Sequence, residues 1–166
     1  RRLGTGYVVK NFGMSGRTMM NTGDRPFQKE KAWHNCLEWK PDIVVIKLGT
    51  NDSKSKNWSL PAAKEDYINS LRQMVDSLRS LPTIPRIILA APIPAATPNP
   101  FGIQDAVITA DIIPALQKFA KKQKLEFLDL HALFKDDGKQ LQSDGVHPTD
   151  KGAAQIADLV AKQIRP

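Results

Sequence analysis

Short apolar runs alternate with amphipathic helical patterns along the whole chain. The runs are rich in β-branched or aromatic side chains, each is followed by a loop, and they lie at residues 7–10, 43–48, 86–91 and 126–130. Apolar residues at helical spacing predict helices at residues 27–39, 61–81, 103–123 and 150–163. This alternation is typical of a parallel sheet covered by helices on both faces. We therefore expect a three-layer α/β/α fold.

Two residues predict details of the later helices. Pro114 lies inside the third helical pattern and should kink or restart that helix, because proline lacks an amide hydrogen and its ring clashes with the preceding turn. Thr149 directly precedes the last pattern and is a candidate N-cap. The core face of the last helix is predicted to carry Ala153, Ile156, Ala157, Val160 and Ile164.

Chain length and charge narrow the functional classes. With 166 residues, 41% of them apolar, residues 1–166 are expected to form a single domain. No apolar run approaches the roughly 20 residues of a membrane-spanning helix, so no membrane partner is expected. The 24 basic and 17 acidic residues give a net charge of +7, but the lysines are scattered and no aromatic-interleaved basic stripe accompanies them. This argues against a nucleic-acid partner.

The single cysteine excludes an internal disulfide and a cysteine metal cluster. Cys36 shares helical spacing with Trp33 and Leu37, which predicts a buried structural thiol.

Ligands of such folds bind where the carboxyl ends of the strands meet, so the loops after the strands are the candidates for chemistry. The first loop reads Asn-Phe-Gly-Met-Ser-Gly-Arg-Thr over residues 11–18. Its glycines let the backbone turn sharply and point N–H groups outward, which suits a developing negative charge. A simple tight turn explains the same glycines equally well.

The second loop contains Gly49, Asn51 and Asp52. Gly49 frees the backbone as the strand leaves the sheet, and the Asn51 amide can donate to an oxyanion without adding net charge. The alternative is that Asn51 and Asp52 form an Asx-turn or a cap.

The third candidate segment, residues 143–149, places a histidine three residues after an aspartate. With Gly145 permitting a tight bend, the Asp144 carboxylate can reach Nδ1–H of His147 and leave Nε2 as a general base. The other histidines, His34 and His131, lack such a neighbour in the sequence and are interpreted as structural. A metal role for His147 and Asp144 is disfavoured because no third ligand lies at the usual spacing.

Three segments resemble blocks II, III and V of the SGNH (GDSL-type) hydrolase family. They are the first loop, at residues 11–18, the segment Leu-Gly-Thr-Asn-Asp at residues 48–52, and the segment Asp-Gly-Val-His-Pro at residues 144–148. Their order and separation are like those of the family. The resemblance implies a flavodoxin-like parallel sheet, a serine esterase activity with no cofactor, and a secreted or periplasmic location.

The same resemblance assigns four site residues. It implies that the backbone N–H of Gly16 and the side-chain amide of Asn51 form the oxyanion hole. His147 would be the general base and Asp144 the group that orients it.

The family also has a Gly-Asp-Ser block at the end of a first strand, where the serine is the nucleophile. No such triplet occurs in these residues. We expect the missing strand to lie between the strands at residues 7–10 and 43–48, so that its loss leaves two unpaired sheet edges and a fragment that folds poorly alone. An upstream segment, a companion fragment or a swapped strand is expected to complete the sheet.

The predicted substrate is an ester of a small acyl group, such as an acetylated sugar. Residues 47–54, followed by Asn57 and Trp58, look like a bacterial branch of the family that is often associated with deacetylating sugars. Trp58 could stack on a sugar ring or pack against the core. No long apolar lid is visible, although lipid esters and thioesters remain open.

Two other readings of the sequence compete with this one. In the first, Ser15, then Asp52 or Asp144, then His147 would follow the chain order of an α/β-hydrolase triad, although Arg17 replaces the last glycine of Gly-x-Ser-x-Gly. In the second, the domain is a non-catalytic carbohydrate-binding or regulatory pseudo-hydrolase. The second is disfavoured because a binding protein does not need an oriented base.

Overall fold

A computed structural model describes residues 2–165 of the chain. The strands are β1 (Ile43–Ile46), β2 (Arg86–Ala90) and β3 (Glu126–Leu128). The helices are α1 (Lys31–Trp39), α2 (Ser55–Trp58), α3 (Ala63–Arg79), α4 (Asp105–Val107), α5 (Ile113–Gln123), α6 (Leu130–Leu133) and α7 (Asp150–Ile164). A 3-10 turn, Phe27–Lys29, precedes α1, and a π-helical segment, Ile108–Ile112, joins α4 to α5.

The three strands form one parallel sheet in the order β1-β2-β3. Ile43 of β1 lies opposite Arg86 of β2, and Ile88 of β2 lies opposite Glu126 of β3. Helices fill the connections between these strands, as parallel pairing requires, because the chain must return to the same end of the sheet. The predicted parallel α/β sheet is confirmed for three of the four apolar runs.

The prediction of a buried strand at residues 7–10 is wrong. This stretch has no assigned strand, and Val8 and Val9 are 79% and 71% exposed. A strand needs a hydrogen-bonded neighbour, and in residues 2–165 none lies beside this stretch. β-branched composition alone therefore did not produce a strand here.

Alternate residues of the strands face two separate apolar layers. Ile87 and Leu89 of β2 pack into one cluster with α1, α3 and α5. Ile88 and Ala90 pack into the other with α6 and α7. Because successive side chains of a strand point to opposite faces, this division gives the three-layer α/β/α arrangement expected from the sequence.

Pro114 restarts a helix as expected. It occupies the first turn of α5, where a missing amide hydrogen is harmless, and the π-helical turn before it brings the Ile113 amide to the Ile108 carbonyl. Within residues 2–165, no helix has both the length and the apolar character needed to cross a membrane.

Helix α7 begins at the predicted cap, but its buried face differs from the prediction. The Thr149 hydroxyl accepts a hydrogen bond from the Gly152 amide, 3.3 Å away. Ala153 and Ala157 are exposed, so their assignment to the core was wrong. Ile156, Val160 and Ile164 pack into the apolar layer under the helix, as predicted. Gly152 and Ala161 are buried as well, and Gly152 packs directly against the segment that precedes the helix.

Replacing Gly152 by alanine should destabilise the protein, even though alanine is the better helix former. A Cβ at Gly152 would overlap the Gln140 carbonyl oxygen and touch the ring of Pro148. We expect Gly152→Ala to lower the free energy of unfolding in urea by about 1–3 kcal/mol. Lys151→Ala, at the exposed neighbouring position, is the control and should stay within about 0.5 kcal/mol of wild type. Stabilisation by Gly152→Ala would contradict this packing.

Candidate active site

One cavity brings together residues from loops that are far apart in the sequence. Its volume is about 620 Å³. Gly16, Asn51 and His147 all line it, and Asn51 follows the carboxyl end of β1. The cavity therefore lies at the edge of the sheet where the sequence predicts chemistry.

Asp144 holds His147 in a fixed orientation. The Oδ2 atom of Asp144 lies 2.8 Å from Nδ1 of His147. A carboxylate can only accept hydrogen bonds, so Nδ1 carries the proton of the neutral imidazole and Nε2 keeps its lone pair. The side chain of His147 is 47% exposed, so the free nitrogen is accessible.

The turn itself keeps Asp144 ionised. Its Oδ1 atom accepts hydrogen bonds from the amides of His147 and Val146, at 2.9 and 2.8 Å. These bonds, the one from the His147 amide first, lower the pKa of Asp144 to about 2. The carboxylate is thus negatively charged at neutral pH and can stabilise an imidazolium on His147.

Gly145 lets this turn pack tightly against the proline-rich loop, residues 91–98, that follows β2. Its φ is +69°, and a Cβ there would lie 2.5 Å from the Cβ of Ala96. The Ala96 amide also donates to the Gly145 carbonyl at 2.8 Å. Both contacts fix the position of His147 relative to the sheet. A glycine is needed at position 145 because its φ is positive and because no side chain would fit against Ala96.

Phe101 is a neighbour of His147 that the sequence did not reveal. Its ring meets the imidazole edge-on, with the ring centroids 5.1 Å apart. Phe101 lines the cavity and is 42% exposed. No motif marks it, because the contact crosses 46 positions of the chain, from 101 to 147.

Gly16 and Asn51 lie on facing loops. Gly16 has a φ of +78°, the left-handed conformation that glycine tolerates best. One N–H of the Asn51 amide donates to the Arg17 carbonyl at 3.2 Å. An amide nitrogen carries two hydrogens, so the second remains available to a ligand.

Asp52 joins these two loops from inside the protein. It is fully buried, and its two carboxylate oxygens accept hydrogen bonds from the amides of Met19 and Met20 at 3.0 and 2.8 Å. Burial raises the pKa of Asp52 to about 6, against the lowering effect of the two amides. The bonds span more than thirty positions, so Asp52 is more than a local Asx-turn.

Of the two acids considered for an α/β-hydrolase triad with Ser15, Asp52 is not the one that contacts His147. Asp52 is occupied by Met19 and Met20, while Asp144 is the carboxylate paired with His147. Ser15 does line the cavity. Among the hydrogen bonds of residues 2–165, however, none joins its hydroxyl to His147.

His131 has an acidic partner that its sequence neighbours do not show. Its Nε2 atom lies 3.0 Å from Oδ1 of Asp105, and the same oxygen accepts from the Ala95 amide. The sequence could not show this partner, because it lies 26 positions away. The pair joins α6 to α4, and Asp105 also binds the loop that carries Ala95, which is a structural role. His34 is exposed on α1.

Trp58 and Cys36 belong to the packing of the protein. The Trp58 indole donates to Asp111 at 2.9 Å and meets the Tyr67 ring edge-on, and Trp58 is not among the residues that line the cavity. Cys36 is buried, as predicted, and burial raises the pKa of its thiol. Within the described residues, no three His, Cys, Asp or Glu side chains form a group suited to a metal ion.

The model of the GDSL-like lipase/acylhydrolase family matches residues 1–155. The chain belongs to this family. An acetylxylan esterase of Xylanibacter ruminicola is 44% identical over an alignment that takes in 98% of this chain. That alignment spans only 37% of the relative, so the chain corresponds to little more than a third of that protein.

Solved structures of esterases share the fold. A carbohydrate acetylesterase from Sinorhizobium meliloti superposes with a TM-score of 0.77 at 24% identity, covering 98% of this chain and 80% of that one. The aryl esterase of M. smegmatis gives a TM-score of 0.72 at 24% identity, covering 99% and 80%. These likenesses establish the three-layer α/β/α fold of the family for this chain.

The burial of Asp52 should make stability depend on pH in a defined direction. With a pKa of 3.8 in the unfolded chain and about 6 in the folded one, Asp52 binds its proton more tightly when folded. Its contribution is therefore complete below pH 4 and is lost as pH rises through 6. The loss should be about 3 kcal/mol, since one pKa unit corresponds to ~1.4 kcal/mol.

Urea unfolding of the wild type and of Asp52→Asn from pH 4 to 7 tests this. The difference in unfolding free energy between them should shrink as the pH rises, because the amide does not titrate. Asp76→Asn, at an exposed position of α3, should run parallel to wild type. Parallel curves for wild type and Asp52→Asn would contradict the assignment.

Proposed function

We propose that this protein is a serine esterase that removes acetyl or other short acyl groups from carbohydrates, and that residues 1–166 belong to one catalytic domain. The observation that supports it most is that His147, oriented by Asp144, lines the same cavity as Gly16 and Asn51. An oriented base and hydrogen-bond donors around one cavity are the parts that ester hydrolysis needs.

In the proposed mechanism, a serine hydroxyl attacks the ester carbonyl while Nε2 of His147 takes its proton. The negative charge that forms on the carbonyl oxygen accepts hydrogen bonds from the Gly16 amide and the free N–H of Asn51. Asp144 stabilises the imidazolium. When the bond between the acyl carbon and the sugar oxygen breaks, the imidazolium gives its proton to that oxygen, so that the sugar leaves as an alcohol and the acyl group stays on the serine. Water, activated by His147, releases the acyl group as a carboxylic acid and restores the serine.

We infer that the serine is supplied by a segment that fills the groove beside β1. The groove has a volume of about 370 Å³ and is lined by residues 10–14, by β1 and by apolar side chains such as Trp33. Within residues 2–165, β1 pairs with β2 alone, so its other edge keeps unpaired backbone groups. An upstream segment, a companion fragment or a swapped strand would each satisfy this edge.

The choice of an acetylated sugar rests on the cavity and on the relatives. A cavity of about 620 Å³ suits a small ligand such as an acetylated sugar unit. The relative that is 44% identical is named an acetylxylan esterase, and one structural neighbour is a carbohydrate acetylesterase. Lysophospholipid esters and thioesters are less consistent with these names.

Acetate release from acetylated xylo-oligosaccharides by the full-length protein tests this activity. Asn51→Ala should lower kcat by about 100-fold or more with little change in KM, because the amide acts on the oxyanion rather than on the bound substrate. Asn35→Ala, at an exposed position of α1, should leave both constants unchanged. A rise in KM with unchanged kcat would remove Asn51 from this role, and a full-length protein that releases no acetate would contradict the function.

Labelling with a fluorophosphonate tests where the serine lies. We expect mass spectrometry of the labelled full-length protein to find the adduct on a serine outside residues 1–166, and Ser15→Ala to label as wild type does. His147→Ala should abolish labelling, since the serine then lacks its base. An adduct on Ser15, lost in Ser15→Ala, would favour the α/β-hydrolase reading instead.

A further inference from the structure

The charges that line the cavity are all of one sign. Four basic side chains line it, and no aspartate or glutamate does; the basic residues are Arg17, Arg25, Lys47 and Lys54. The chain carries an excess of basic residues, but they are scattered along the sequence. A concave site with only cations focuses a positive potential on whatever enters it.

Arg17 has an acidic partner, whereas Lys47, which has none within residues 2–165, lies at the boundary with the groove beside β1. The Arg17 guanidinium pairs with Glu30 at 2.8 Å and also donates to the Ser15 carbonyl. Arg17 therefore has its charge balanced by the protein. Lys47 lies where the cavity meets the groove beside β1, since it lines both.

Arg25 and Lys54 have no such partner. In residues 2–165, neither takes part in an ion pair or in a side-chain hydrogen bond. The guanidinium of Arg25 passes close to Gly16, since a Cβ on that glycine would lie 3.7 Å from Nη1. One side of the proposed oxyanion hole is therefore bordered by an unpaired cation.

Arg25 and Lys54 line the same cavity, and the charge of each acts on the other. Burial lowers the pKa of Lys54, and the charges of Lys56 and Arg25 lower it further, against the effect of Asp24. The charge of Asp24 acts on Lys54, but that carboxylate is already bound by Lys56 and by the side-chain amide of Asn57. Two like charges in one cavity repel each other, and a bound anion would relieve that repulsion.

We propose that Arg25 and Lys54 form a carboxylate-binding subsite beside the reaction centre, so that the preferred substrate is an acetylated sugar that carries a carboxylate. This inference rests on the esterase function proposed above. A guanidinium presents parallel N–H donors that match the two oxygens of a carboxylate, and an ammonium adds a third donor. Because Arg25 borders Gly16, the carboxylate and the scissile acetyl group belong to the same or to adjoining sugar units.

The test compares two substrates that differ only in charge. The full-length protein is given a methyl glucuronoside acetylated on one hydroxyl, and the methyl ester of the same compound, and acetate release is measured. Wild type should show a kcat/KM for the acid about tenfold above that for the ester, with a preference that declines at high ionic strength.

Variants of the two cations give the decisive comparison. Arg25→Gln and Lys54→Gln should each lower kcat/KM for the acid about fivefold and change that for the ester less than twofold. Arg25→Lys keeps the charge and should retain part of the preference. Lys118→Gln removes the same charge from an exposed position of α5 and should behave as wild type.

The outcomes separate this subsite from the esterase function. Equal rates on both substrates in wild type, or an equal loss on both in Arg25→Gln and Lys54→Gln, would overturn the carboxylate subsite and leave the esterase standing. No acetate from either substrate would overturn the esterase and the subsite together. A preference for the acid that disappears only in the two variants would establish the subsite.

Discussion

The buried carboxylate of Asp52 is the contact on which the candidate site depends. Residues 7–18 have no strand to hold them in the described part of the chain, so the position of Gly16 is set by the residues just after this stretch. There, the amides of Met19 and Met20 bind Asp52, the residue next to Asn51. One side chain thus sets the distance between two proposed oxyanion donors. Burying a carboxylate is costly, and the raised pKa of Asp52 records that cost.

His147, the proposed base, is held by a separate set of contacts. The turn that carries Asp144 and His147 is closed by its own backbone and packs on Ala96 through Gly145. Its approach to Asn51 is fixed by the sheet, because the proline-rich loop follows β2 and the Asn51 loop follows β1. The two halves of the site are therefore held by different contacts, and the β1-β2 pairing brings them together.

The charge of the site depends on the two carboxylates that hold its two halves. Asp144 is ionised by amides within its own turn, Asp52 is pushed toward neutrality by burial, and neither carboxylate lines the cavity. The charge left at the cavity wall is positive. Arg17 pairs with Glu30, whereas Arg25 and Lys54 take part in no ion pair within residues 2–165. The cavity therefore combines a histidine oriented by Asp144 with a positive rim, and that rim is the basis for the proposed preference for an anionic ester.

The sequence by itself determined the features that depend on local geometry. The apolar runs predicted three parallel strands that the structure contains. The contact between Asp144 and His147 was predicted from their spacing of three residues with a glycine between them. Only the tertiary structure decided the rest. The partner of His131 is Asp105, 26 positions away, and the neighbour of His147 is Phe101. Residues 7–10 have strand composition but no strand, because backbone pairing needs a second segment that no local pattern supplies.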